Sequence, residues 1–302
     1  MKPLLRRRLR GAGRGAVIAV PWLWLLLFFL IPFVIVLKIS FAETRLAVPP
    51  YTPLLSWVEG HYVLQLNTGN FLFLLKDSLY LEAFLSSLKV ASISTVLCLL
   101  LGYPMAYFIA RQPARRRGLL LLAVILPFWI SFLLRVYAWI GLLNNHGVIN
   151  HFLMSIGLID QPLKLLYNDF AVYLGIVYSY LPFMILPLYA NLERLNLDLL
   201  DAAADLGARR WQAFVDITLP LSMPGIVGGC LLVFIPAVGE FTIPALLGGA
   251  DTLMIGRVLW DEFFSNRDWP VASAVSVVLL LLLIAPILWF QHIQNREQEA
   301  GR

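Results

Sequence analysis

Asp201-Ala202-Ala203-Ala204-Asp205-Leu206-Gly207, followed after nine residues by Ile217-Thr218-Leu219-Pro220, is the stretch on which the fold turns. Asp198, Asp201 and Asp205 recur at the spacing of one helical face, while Leu199, Ala203 and Leu206 fall on the opposite one. Gly207 can take the left-handed conformation that ends a helix. A second short helix is expected from Arg209, with Trp211, Phe214, Val215 and Thr218 along one side and Pro220 blocking its continuation. The product is a helix–turn–helix elbow over 191–222 lying against a membrane surface. Its small Ala202 and Ala203 let another backbone approach closely.

Outward from the elbow the chain is too apolar for water. Of 302 residues, 60% are hydrophobic and only 14% charged, with mean hydropathy +0.80, against roughly 25% charged in soluble chains. A helix crossing the hydrocarbon needs about 20 mostly apolar residues. Six stretches qualify: Ala16–Leu37, Ala83–Ala110, Leu119–Leu143, Phe170–Ala190, Met223–Leu247 and Val271–Phe290. The expected fold is therefore an all-α membrane protein of six transmembrane helices. Pro32, Pro104, Pro127, Pro182, Pro187, Pro236 and Pro286 lie inside these spans, which membrane helices tolerate when neighbours satisfy the freed carbonyls.

Fifteen of the 23 Lys and Arg residues gather on one side of the membrane: Lys2, Arg6, Arg7, Arg8, Arg10 and Arg14, then Arg111 and Arg115–Arg117, Arg194, Arg209 and Arg210, Arg296 and Arg302. Seven lie on the other side, in longer loops. The positive-inside rule puts both termini in the cytoplasm, so the basic excess is a topology signal and no nucleic-acid partner is implied. The division that follows is a basic cytoplasmic N-terminus (1–15), a first transmembrane helix (16–38), a periplasmic loop (39–82), a membrane core (83–292) and a cytoplasmic tail (293–302). Ser40-Phe41-Ala42 resembles a signal-peptide cleavage site, but the apolar run before it exceeds the usual 7–15 residues or so of a signal h-region, and retention as a span is expected.

Here the elbow resembles a known family. It is similar to the E-A-A-x3-G-x9-I-x-L-P loop of ABC importer permeases: Ala202, Ala203, Gly207, Ile217, Leu219 and Pro220 match in type and spacing, with Asp201 where Glu is usual. Tyr180-Leu181-Pro182-Phe183, Gly141-Leu142-Leu143-Asn144, Phe234-Ile235-Pro236-Ala237-Val238-Gly239-Glu240-Phe241 and Arg267-Asp268-Trp269-Pro270 look like the permeases of putrescine and spermidine importers, most of all the larger permease of the putrescine system. The resemblance implies an importer-type transmembrane domain of five core helices plus an accessory N-terminal helix in a bacterial inner membrane. It also implies that Asp201, Ala202, Ala203, Gly207, Ile217, Leu219 and Pro220 form the coupling elbow that docks on an ATPase. The implied partners are a second permease, two ATPase subunits that bind ATP and Mg, and a periplasmic polyamine-binding protein, besides membrane lipid. The chain itself would hydrolyse nothing and hold no cofactor.

A protonated polyamine crossing a low-dielectric passage needs carboxylates or aromatic faces in place of water. Glu240 is the only acidic residue inside any proposed span and Arg135 the only basic one well inside. Counted along straight helices at about 1.5 Å per residue, the two fall in one layer, so they are expected either to staple two helices as a pair or to leave Glu240 facing the substrate. Tyr137, Trp139, Tyr178 and Tyr180 are interfacial-belt aromatics or polyamine contacts. Asp251, Asp261, Glu262 and Asp268 crowd the last outer loop, either steering a cation or contacting the binding protein, or simply solvated. His61, His146, His151 and His292 show no metal spacing, and Cys98 and Cys230 sit in apolar runs. A secondary transporter or channel would need more intramembrane ionisable groups, and a membrane-embedded enzyme would need a triad, metal set or paired carboxylates.

Overall fold

The computed structural model of the chain describes residues 17–58, 61–249 and 252–300. The basic stretch 1–15, Asp251 and Arg302 lie outside the described residues, as do the side chains of His292 and Arg296. In chain order the helices are α1 (Val17–Ser40), α2 (Gly69–Lys76), α3 (Ser78–Ala110), α4 (Ala114–Ile125), α5 (Phe132–Leu143), α6 (Val148–Ser155), α7 (Asp169–Leu192), α8 (Asp198–Asp205), α9 (Arg210–Val238), α10 (Thr242–Leu247), α11 (Ile255–Trp260) and α12 (Trp269–Ala300). One small antiparallel hairpin, β1 (Leu55–Val58) with β2 (His61–Leu64), stands in the expected first loop, with Leu55 opposite Leu64 and Val58 opposite His61.

Helix dominates because the hydrocarbon offers no water to unpaired backbone groups, and a helix satisfies its own. Helices α1, α3, α7, α9 and the Trp269–Leu288 part of α12 are long and apolar enough to cross a bilayer. The third crossing departs from expectation. The stretch expected as one straight helix over Leu119–Leu143 is a broken pair, Ala114–Trp129 and Phe132–Ser155, bent by 88°. The cause is local: α4 tightens into a 3₁₀ turn at Leu126–Trp129 that contains Pro127, and Ile130 and Ser131 then extend with ψ of 139° and 137°.

The elbow and the fifth crossing also differ from the sequence reading. Pro220 does not end the second elbow helix, which runs on unbroken into the fifth crossing as α9. A proline inside a helix lacks an N–H and clashes with the carbonyl four residues back. Here a π-helical turn at Phe214–Thr218 comes just before it, with the Leu219 N–H donating to the Phe214 carbonyl, and the wider turn absorbs the misfit. At its far end α9 stops at Val238, nine residues short of the expected Leu247, and the chain leaves the helix at Gly239–Phe241 before α10. The second crossing starts at Ser78 instead of Ala83, so the first connecting loop is shorter than 39–82 and contains β1, β2 and α2.

The described chain forms two compact units. In the larger, Ser78–Val258 with the stretch from Leu283, helices α3, α7 and α9 pack on one another around Cys98, Ala106, Met184, Ile185, Leu188 and Val233. Gly225 sets the approach of α9 to α7: a Cβ there would lie 2.8 Å from Asn191 Cβ and 3.2 Å from the Pro187 carbonyl oxygen. In the smaller, residues up to Asp77 with Leu259–Leu282, no residue in the most apolar stretch of α1 is buried, as suits a helix facing lipid. Asp268 accepts from the Thr44 hydroxyl (2.7 Å) and from the Val271 N–H at the start of α12 (3.0 Å).

Gly225→Val should therefore lower the stability of the detergent-purified chain by about 1–3 kcal/mol through overpacking. Gly228→Ala, whose new Cβ meets only Pro187 Cβ at 4.0 Å, should leave the thermal unfolding midpoint nearly unchanged. Equal shifts in the two variants would show that the α7–α9 contact is not close-packed.

Candidate functional site

The elbow is built as a rigid corner with an open face. Asn196 Oδ1 accepts from the Asp198 N–H (3.0 Å) and starts α8. At the other end Gly207 takes φ +83°, and the N–H groups of Gly207 and Ala208 donate to the carbonyls of Ala204 and Ala203, each at 2.9 Å. That pair of bonds is a Schellman ending, which needs a left-handed residue where Gly207 stands. The Gln212 side chain accepts from the Arg209 N–H (2.8 Å) and holds the start of α9. Asp201, Ala202 and Gly207 are exposed and Ala203 is half-buried. Leu206 is 90% and Trp211 72% exposed.

The following turn is anchored instead of open. Trp211 stacks on Phe214 with ring centroids 5.7 Å apart. Phe214 meets Tyr103 and Tyr107 of α3 edge-on at 5.8 and 6.1 Å, and the Tyr103 and Ser222 hydroxyls share a hydrogen bond of 3.0 Å. Ile217 and Leu219 are half-buried and Pro220 is exposed. Beside this corner Arg117 pairs with Glu193 at 2.6 Å. A hydrogen bond from Tyr189, and then Arg117, hold the Glu193 carboxyl below its usual range.

Glu240 and Arg135 do not pair, contrary to the staple drawn from straight-helix counting. The count fails because each residue follows a helix break. Glu240 sits in the gap between α9 and α10, where Oε1 accepts from the Thr242 and Ile243 N–H groups (2.9 and 3.3 Å) and Oε2 from the Tyr180 hydroxyl (2.5 Å). It serves as the cap of α10, whose first amides would otherwise lack partners. Arg135 lies in the first turn of α5, 8% exposed, with Nε and Nη1 unpartnered. Its guanidinium carbon is 4.9 Å from the Phe128 ring centroid and 5.6 Å from that of Phe132, so aromatic faces stand in for a carboxylate.

The other aromatics separate. Tyr180 belongs to the Glu240 cluster, a link missed in the sequence although a tyrosine deep in an apolar span needs an acceptor. Trp139 and Tyr178 meet edge-on at 5.3 Å, while Tyr137 is exposed. Asp268 is engaged as the cap already described, and Glu262 accepts from Asn266 at 3.0 Å, so two of the four outer acids have local structural roles. Among the described residues, no group of three or more His, Cys, Asp or Glu is placed to hold a metal ion.

Residues 98–298, which take in the elbow and the Tyr180–Glu240 cluster, match the model of the family described as "binding-protein-dependent transport system inner membrane component". The chain belongs to that family. The permease is thus a multi-pass inner-membrane transport component without catalytic activity of its own, which removes the secondary-transporter and membrane-enzyme readings. It is 42% identical over 260 residues, 86% of this chain and 90% of the relative, to the spermidine/putrescine transport system permease protein PotB of Escherichia coli (strain K12). To the protein of that name from Haemophilus influenzae it is 40% identical over 285 residues, 93% of this chain and 95% of the relative. In fold the permease is similar to a chain of a bacterial alginate ABC transporter solved with its alginate-bound periplasmic protein, with a TM-score of 0.73, 18% identity and 98% of each chain covered. The importer-type helical fold expected from the sequence is confirmed.

Two double-mutant cycles on the permease separate the contacts that exist from the one that does not. Tyr180→Phe with Glu240→Gln should show a coupling energy of about 0.5–3 kcal/mol in thermal unfolding, as for residues sharing a hydrogen bond. Arg135→Met with Glu240→Gln should close to within about 0.5 kcal/mol. A second coupling as large as the first would reinstate the ion pair.

Proposed function

We propose that this permease forms half of the translocation path of an ATP-driven, binding-protein-dependent importer of polyamines, spermidine and putrescine. The 40–43% identity to permeases of spermidine/putrescine systems over most of the chain supports the substrate class. The narrower likeness to the larger permease of a putrescine system rests on the sequence phrases quoted above. Both termini and the elbow lie on the cytoplasmic side, on the strength of the Lys and Arg distribution. A second, homologous permease completes the path, two ATPase subunits hold ATP and Mg, and a periplasmic protein delivers the polyamine.

The observation that carries the coupling role is the corner at Gly207: an exposed amphipathic helix, closed by a Schellman turn, joined to a segment locked against α3. Asp201, Ala202 and Ala203 present a small, acidic surface for the ATPase, and Leu206 and Trp211 supply apolar contacts. When ATP closes the ATPases, α8 moves with them, and the anchored stretch through Ile217, Leu219 and Pro220 carries the displacement into α9. The path opens outward under the loaded binding protein and returns inward after hydrolysis. Along the path Glu240, held by three donors, keeps one lone pair on Oε2 for a passing ammonium group. Tyr180, Tyr178, Trp139 and Tyr137 offer aromatic faces to the substrate's charges, and Arg135 repels a polyamine from its own side of the layer.

The test uses proteoliposomes containing the full importer with its binding protein, fed labelled spermidine or putrescine. Gly207→Pro forces φ to about −65° where +83° is needed. It should cut binding-protein-dependent uptake by about tenfold or more, equivalent to at least 1.4 kcal/mol or so of coupling, and abolish stimulation of ATP hydrolysis by the loaded binding protein, with the unfolding midpoint of the permease little changed. Unaltered uptake and stimulation would refute the coupling role. Absence of uptake of either polyamine by the intact importer would refute the substrate.

A further inference from the structure

The last turn of α1, the short helix α2 and the Val277–Leu281 stretch of α12 enclose a groove of about 520 Å³, within the range of about 300–1,000 Å³ typical of small-molecule sites. Phe71, Leu72 and Leu75 line it from α2 and Thr68 from the capping position just before it, at the i, i+3, i+4, i+7 spacing of a single helical face. That face is held open by a clamp on the opposite one. The buried Asn70 side chain donates to the Ser40 and Ala42 carbonyls (2.9 and 2.8 Å), the unsatisfied end of α1. Leu37 and Phe41 form one wall, Val277 and Leu281 the other. Apart from Thr68 the lining is wholly apolar.

Depth and charge identify the occupant. Helix α1 has 24 residues, about 36 Å at 1.5 Å per residue, slightly more than the hydrocarbon thickness of about 30 Å. Its end at Leu37–Ser40 therefore reaches the boundary between acyl chains and headgroups. Lys38 is the one charged residue of Val17–Ser40, and Lys76 the one charged residue of α2. Each is exposed and follows a groove-lining leucine, Leu37 and Leu75. Lysines at this level extend toward the interface along their apolar stems, so the two exposed side chains that adjoin the groove-lining leucines in sequence supply positive charge for an anionic headgroup.

We propose that this groove is a specific site for one anionic phospholipid, an acyl chain lying along Phe71, Leu72 and Leu75 and the phosphate held by Lys38 and Lys76. The bound lipid fills the slot between the accessory helix and the last crossing, and fixes α2 at the membrane surface.

Native mass spectrometry of the full chain, purified in detergent and supplied with phosphatidylglycerol or phosphatidylcholine of identical chains, reads the site directly. Wild type should retain one phosphatidylglycerol with a preference of about 30-fold, the factor expected of two lysines near an anionic headgroup. The Lys38→Gln/Lys76→Gln chain should lose the preference, and Leu72→Trp, which fills the slot, should lose the bound lipid of either kind. Equal retention of the two lipids by wild type, or undiminished retention by Leu72→Trp, would overturn the proposal. A check that needs no variant is photo-crosslinking of the unaltered chain with phosphatidylglycerol bearing an acyl-chain diazirine. Label on the peptides containing Phe71–Leu75 and Val277–Leu281 supports the site; label confined to other peptides, or displaced by the chain's own N-terminal segment or a second copy crosslinked there, overturns it.

Discussion

A polar group at the depth of the hydrocarbon has to be answered by the protein, because lipid cannot answer it. The interruption between α9 and α10 is organised by that constraint. Ending a helix at Val238 and starting another at Thr242 frees carbonyls on one side and amides on the other. Glu240 resolves the second half of the problem by accepting from two of those amides, and Tyr180 of α7 completes the carboxylate. A single acidic side chain thus permits the break, fixes the direction of α10 and ties it to α7. An uncompensated charge there would be costly; with three donors it becomes a joint.

The cation nearby is accommodated by a different device. Among the described residues no carboxylate pairs with Arg135, and the two rings around it come from the two sides of the bend: Phe128 from the 3₁₀ turn and Phe132 from the first residue of α5. The 88° change of direction is what allows one guanidinium to face both. Each ring contributes about 0.5–2 kcal/mol depending on desolvation. The break and the buried charge therefore depend on each other, as they do at Glu240.

What was legible in the sequence was whatever is encoded within a turn or two. The Asp198–Asp205 face, the Gly207 stop and the length of each apolar run are local signals, and the elbow and crossings follow from them. The breaks were not legible, because averaged hydropathy is the same for one straight helix and for two half-helices. Proline does not discriminate either: Pro104, Pro182 and Pro187 sit inside intact helices while Pro127 lies in the turn that ends one. Pro220 misled for a related reason, since the π-turn that absorbs it is a backbone adjustment no side-chain pattern announces. The Tyr180–Glu240 bond joins residues 60 apart. It could have been inferred by asking which acceptor serves a tyrosine in an apolar span, whereas Asn70, clamped to α1 from the neighbouring loop, carries no such signal.

Continuity of α9 connects the two halves of the proposed mechanism. The helix runs 29 residues from Arg210, at the elbow, to Val238, beside Glu240, a span of about 43 Å at 1.5 Å per residue. Its near end is fixed to α3 through Phe214, Tyr103 and Ser222, and its middle is pressed against α7 where Gly225 admits Asn191. In the proposed mechanism, motion imposed at the elbow is carried along this continuous helix, past Pro224 and Pro236, to its far end at Gly239–Phe241. Tyr180 reaches Glu240 from α7, so sliding α9 against α7 would alter the geometry of that carboxylate. In the proposed mechanism, a continuous helix ending at a hydrogen-bonded joint is the physical route from the exposed elbow to Glu240.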